Sequence, residues 1–345
     1  MNNYNEKFND EGQLDELISR PGAEVVKMFS QVDGDIMFLG ISGKIGPSLA
    51  RMAKRACDEA GVKKHITGVA LFDSAEQQKS FEKENIETIN GNLLDTGFLN
   101  SLPAPKNVFY LAGMKFGSVD NLPLTWAINS LLPGLVAEHF SKSRIVAFST
   151  GCVYPLVPVS SGGSVESDLP VAIGEYAQSC LGRERMFEYG SNKNKTEVTL
   201  IRLNYSVEMR YGVLVDIAVK VLNDQPVDLT MGHFNVIWQG DVNDFVLRSL
   251  EYAKSPAKIL NVTGPEILSV REVASEFGRH FGVKPRFVNK EAETALLSNS
   301  TEAFNLFGKP KVPVLQVIKW TAEWLKDGKR LLGKPTHFEV RDGKY

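Results

Sequence analysis

A chain of 345 residues, 43% hydrophobic and 23% charged, has room for one large or two medium domains with a substantial core. Its net charge of −2 gives no electrostatic basis for nucleic-acid binding, and no apolar run approaches the length of a membrane span. The polar, acidic start lacks the basic-then-apolar layout of a signal peptide. Three scattered cysteines, Cys57, Cys152 and Cys180, make no disulfide framework, so a reduced, cytoplasmic protein is expected.

Residues 1–34 read as a helical extension: Leu14, Leu17, Ile18 and then Val25, Val26 and Phe29 fall at helical spacing, interrupted by Pro21-Gly22. From Asp35 the pattern changes to short apolar runs at 36–40, 66–72, 86–90, 107–112, 144–149 and 198–203, with helices expected at about 44–60, 121–140 and 173–190. Uninterrupted apolar strands alternating with helices predict a parallel sheet covered on both faces, a Rossmann-type doubly wound α/β fold. A last strand-helix-strand unit ends near Val262. The division expected is a nucleotide-binding domain at 35–205 plus 236–265, and a smaller substrate lobe with a C-terminal tail at 206–235 plus 266–345.

The first strand runs into Gly40-Ile41-Ser42-Gly43-Lys44-Ile45-Gly46 and then a helix. Gly40 permits the tight turn, Gly43 lets backbone approach a pyrophosphate, and Gly46 lets the helix pack on the strand, while the helix N-terminus offers N–H groups to phosphate. The second strand ends Leu71-Phe72-Asp73, where a carboxylate would accept ribose hydroxyls and repel a 2′-phosphate. NAD is therefore the expected cofactor.

With these landmarks the chain resembles the extended short-chain dehydrogenase/reductases, the NAD-dependent epimerase/dehydratase family, from residue 35 to about 325. Gly91-Asn92-Leu93-Leu94-Asp95 resembles the family's adenine-contacting segment, with Asn92 in the place of an acid. Leu111-Ala112-Gly113-Met114-Lys115 resembles the cofactor-lining segment after the fourth strand, and Asn129 the asparagine of the next helix. Ser149-Thr150-Gly151-Cys152-Val153-Tyr154, Arg202-Leu203-Asn204 and Leu306-Phe307-Gly308-Lys309-Pro310 match later segments. Tyr176 falls at the catalytic tyrosine. The resemblance implies that Tyr176 acts as acid/base on a substrate hydroxyl that Thr150 also bonds, and that the chain is a homodimer with a small-molecule substrate.

Three departures stand out. The family's lysine four residues after the tyrosine is Cys180 here. A cation at that distance lowers a phenol pKa by about 1–3 units from its usual value of about 10. Cys180 is open to three readings: a space-filling residue, the mark of a non-catalytic NAD binder, or part of a site tuned instead by Lys115, Arg183 or the nicotinamide. The Asp-Glu pair of the dehydratases is Gly151-Cys152, which disfavours dehydration. The stretch 232–238 lacks the arginine that grips a diphosphate, and a metal set from Cys152, Cys180 and His233 lacks ligand spacing. These features together predict an NAD-dependent oxidoreductase or epimerase acting on a sugar or sugar acid that is not a nucleotide-diphospho-sugar, with Asn204 and Arg210 holding it. An NAD-binding regulatory protein with decayed catalysis, and a lyase or decarboxylase on the same fold, stay open.

Overall fold

The computed structural model describes residues 8–115, 117 and 120–344. Strands β1 (Ile36–Leu39), β2 (Ile66–Ala70), β3 (Glu87–Asn90), β4 (Asn107–Tyr110), β5 (Arg144–Thr150), β6 (Val198–Leu203) and β7 (Lys258–Val262) form one sheet in the order β7-β6-β5-β4-β1-β2-β3. Every pairing is parallel. Side chains of a strand alternate between faces, and here both faces are covered. Phe38 and Phe109 stack at 5.0 Å on one side, while Met37, Leu39, Val108 and Tyr110 enter a second cluster on the other. That is why these strands read as continuous apolar runs. At the sheet edge, β3 keeps only half of its surface covered, which explains its mixed Glu87-Thr88-Ile89-Asn90.

The N-terminal segment forms two helices, α1 (Glu11–Ile18) and α2 (Ala23–Gln31), divided at Pro21-Gly22. They serve different cores. Val25, Met28 and Phe29 of α2 join the cluster on the sheet, whereas Leu14, Leu17 and Ile18 of α1 join the core of the second lobe with Trp238, Trp320 and Trp324. The glycine turn leads into α3 (Gly46–Glu59). The expected helix over 121–140 is not continuous: Leu122–Trp126 passes into one π turn, Ala127–Leu131, before Leu132–His139. Pro133 has no N–H for the carbonyl four residues back, that of Asn129, and the wider turn falls there.

Helix α4 (Glu175–Asn194) packs against this segment and the sheet. It is tied to β6 by a fully buried ion pair. Both oxygens of Glu184 accept from Arg202, at 3.0 Å and 2.7 Å, and Oε1 also accepts from Ser149 Oγ at 2.5 Å. Arg202 reaches on to the Tyr154 hydroxyl at 2.6 Å, which donates to Asn261 Oδ1 at 2.9 Å.

The second lobe is built on α5 (Val213–Leu222), α7 (Val270–Phe281) and α8 (Val314–Lys326), with α6 (Gln239–Arg248) returning to the sheet side. The tail after α8 folds back over the lobe. Phe338 enters its core beside Phe234, Thr336 donates to Asp216 through both N–H and hydroxyl, and Gly343 packs on Gly174 at the start of α4. Among the described residues no helix is long and apolar enough to cross a membrane.

Candidate functional site

The strand order reverses between β1 and β4, and the crevice at such a switch point is where open α/β sheets take their ligands. Two cavities meet there, sharing Gly40, Gly43 and Leu111. The larger, about 440 Å³, runs over the ends of β1, β2 and β4. Ser42, Asn92, Leu93, Ala112 and Gly113 line it, all of them sequence-predicted cofactor contacts. The smaller, about 240 Å³, continues toward the second lobe and holds Lys44, Ile45, Gly46 and Lys115 with Thr150 and Tyr176. Asn204 lines it too.

Each glycine of the turn answers to a different constraint. Gly40 has φ +89°, and a Cβ there would lie 2.6 Å from the Ala112 nitrogen on β4's continuation. A Cβ on Gly46 would lie 2.2 Å from the Ile41 carbonyl oxygen, so the helix could not start so close to the strand. Gly43 is not crowded, its nearest neighbour being the Gly40 oxygen at 3.4 Å. Its missing side chain leaves the crevice open, which fits a phosphate-bearing ligand against backbone. Ser42 Oγ donates to the Leu71 carbonyl at 3.0 Å and fixes the turn on the end of β2.

Some predicted contacts fall elsewhere. Asp73 lines neither cavity: β2 ends at Ala70, so Leu71, 62% exposed, lines the large cavity, and Asp73 sits in the exposed loop with its N–H bonded to Gln77. Asn92 lines the cavity, but its Oδ1 already accepts the Leu94 N–H at 3.0 Å. Asn129 is wholly buried in the π turn and lines neither cavity. It clamps the β4 loop through Met114 N–H and C=O, both at 2.9 Å, and accepts from Arg183. Arg210 is not at the cavity's wall either. Its guanidinium is held by Glu208, Asp15 at 2.8 Å and Glu11 at 3.2 Å, because α1 packs onto this lobe.

The chemical corner is half-buried and faces the small cavity. Burial above all drives the Tyr176 phenol well above the usual tyrosine range; Cys180 and Cys152 add to this and Arg183 opposes it. The phenol shares a hydrogen bond with the Cys180 thiol, itself fully buried and raised by burial. Thr150 is buried beside them and its Oγ accepts the Cys152 N–H at 3.1 Å. Arg183, two turns along α4 from Tyr176, is a buried guanidinium that donates to the Phe148 carbonyl at 2.8 Å and to Asn129 at 2.7 Å. Its Nε has no partner in the protein. Sequence reasoning named Arg183 only as an alternative and missed Tyr205 and Tyr211, which line the small cavity from the second lobe. No spacing rule places those two there.

No family model matches the chain, and no curated protein matches it. Solved structures do. The UDP-glucose 4-epimerase of Thermotoga maritima, solved with UDP-glucose, shares 18% identity over 85% of this chain and 99% of its own, with a TM-score of 0.70. Pal from Bacillus thuringiensis shares 19% over 86% and 100%, with a TM-score of 0.71. The UDP-glucuronic acid 4-epimerase of Bacillus cereus, in complex with UDP-glucuronic acid and NAD, shares 16% over 85% and 99%, at 0.69. The fold is thus that of Rossmann-type sugar epimerases.

These neighbours overturn the expectation that a nucleotide-diphospho-sugar is not the substrate, since chains folded like this one carry UDP-glucose and UDP-glucuronic acid. The physical error was to judge charge from one stretch, 232–238. Folding brings Lys44 and Lys115 to the cavity from distant segments.

Proposed function

We propose that the chain is an NAD-dependent enzyme of the epimerase type acting on a hydroxyl-bearing carbon of a nucleotide-activated sugar. The observation that supports this most is the continuous crevice: its large end joins the glycine turn to an apolar wall that includes Leu71, Leu93 and Leu132, and its small end contains Thr150 and Tyr176. NAD fits that division, with its adenosine over Asn92 and Leu93, its phosphates at Gly40–Gly46 and its nicotinamide toward Tyr176. Bound there, the nicotinamide would take hydride from the carbinol carbon and return it.

The chain's own residues handle the proton. Thr150 orients the substrate oxygen and Tyr176 exchanges the proton with it. No lysine follows Tyr176 by one turn, and burial holds the phenol protonated. Tyr176 therefore rests in the protonated form that can supply a proton to the alkoxide left by hydride return, and is a reluctant base for the oxidation. Arg183, the cation that opposes the phenol's upward shift, takes over part of the lysine's electrostatic role from a position fixed by Phe148 and Asn129.

Calorimetry with NAD and NADP, followed by NMR of UDP-sugars incubated with the protein, tests the reading. NAD binding with inversion or oxidation of one sugar carbon is expected. No heat from NAD at high protein concentration would overturn it.

A further inference from the structure

One cation of the glycine turn faces the small cavity. The backbone of Lys44 belongs to the glycine turn, but its side chain leaves toward the second lobe, where Nζ rests 3.1 Å from the centroid of the Tyr211 ring. No carboxylate pairs with it among the described residues. The two nearest acids are committed elsewhere: Glu208 to the N–H and Nε of Arg210, Asp216 to Thr336. Lys115 lines the same cavity, its Nζ 3.4 Å from the Thr336 carbonyl. An ammonium that rests on a ring face, on a cavity wall that carries no carboxylate, makes a field complementary to an anion.

We infer that Lys44, with Lys115 as the second cation, holds an anionic group of the substrate, a carboxylate or a phosphate, in the cavity that contains Thr150 and Tyr176. The inference rests on the reading above only for what the rest of that substrate is. Tyr211 supplies the platform: its ring face stabilises the ammonium while leaving it open to the cavity. The side chain is half-buried, and its partial desolvation holds its pKa down to about 7, against the pull of Glu208 and Asp216 and with the push of Lys115 and Arg210. An anion restores the proton. Its affinity is therefore full below pH of about 7 and falls as pH rises beyond that, because binding must take up a proton.

The test compares wild type, Lys44→Met, Lys44→Arg and Lys115→Met by calorimetry. The ligands are NAD, then glucose, glucuronate, UDP-glucose and UDP-glucuronic acid on the NAD-loaded protein. Lys44→Met is expected to weaken the anionic ligands by about 10- to 100-fold, with Lys44→Arg recovering most of it. Glucose, which carries no charge, should change by no more than a few-fold. Loss on glucuronate assigns the carboxylate; loss on UDP-glucose without glucuronate assigns the diphosphate. Equal loss for NAD, equal loss for glucose, no loss at all, or no binding of any sugar to the loaded protein overturns the inference. If NAD itself does not bind, the cofactor reading fails, and the anion series on the bare protein still decides the role of Lys44.

Discussion

The two ends of the crevice are made of different materials. The large cavity lies over the glycine turn and the ends of adjacent strands, with an apolar wall of Leu71, Leu93, Leu111, Ile128 and Leu132. The small cavity is a surface of side chains from the glycine turn, the β4 loop, β5, α4 and the second lobe, two of them the half-buried Lys44 and Lys115. A ligand at the first end is recognised by geometry that neighbouring residues in the sequence create. At the second end the chemistry depends on how burial and remote charges set each group's protonation. The first kind of site tolerates little change in backbone shape, and the second can change its chemistry by single side chains.

This contrast can be broken or sharpened by experiment. The largest effect is expected at Tyr176→Phe, which should lower kcat by about 100- to 10,000-fold while thermal denaturation and NAD affinity stay unchanged. A fall in NAD affinity of the same size would merge the two ends into one site. Arg202→Met should cost about 3–5 kcal/mol of stability, read by denaturant unfolding, because it strands Glu184 as an unpaired buried carboxylate.

Smaller and more telling is the glycine pair. Gly46→Ala should destabilise the fold by about 1–3 kcal/mol through the clash with the Ile41 carbonyl, whereas Gly43→Ala should leave the melting temperature nearly unchanged and weaken only NAD. Equal losses of stability would show that Gly43 is structural. Finally, Cys180→Lys should move the rising limb of the oxidation rate to lower pH by about 1–3 units. A cation there favours the phenolate, lowering a pKa that burial now holds above its usual value. An unmoved profile would mean that Tyr176 does not limit the oxidation.

The sheet was legible because its strands are buried on both faces and carry no polar alternation, and the glycine turn because its constraints act between residues a few positions apart. The place of Asp73 was less legible: where a strand ends depends on its pairing with β3, and Ala70 pairs with Asn90 at the last register position, which leaves Asp73 in the loop beyond. Asn129 was correctly picked as an uncommon residue near the β4 loop, yet its amide is spent on holding that loop. Arg210 was drawn away by carboxylates nearly two hundred positions earlier, in α1. Tyr211 carried no local signal, since only the packing of the second lobe brings it over Lys44.

Helix α1 has a mechanical consequence. It touches both halves at once: Glu16 and its carbonyl accept from Arg55 on α3, and the Ile18 carbonyl accepts from Asn243 on α6. From the same helix Glu11 and Asp15 grip Arg210, and Phe8 just before it meets Trp320 edge-on at 5.3 Å. A hinge-bending motion of one lobe against the other would have to shear this splint. Opening between the lobes then falls to side chains and loops at the rim of the crevice rather than to a swing of one lobe.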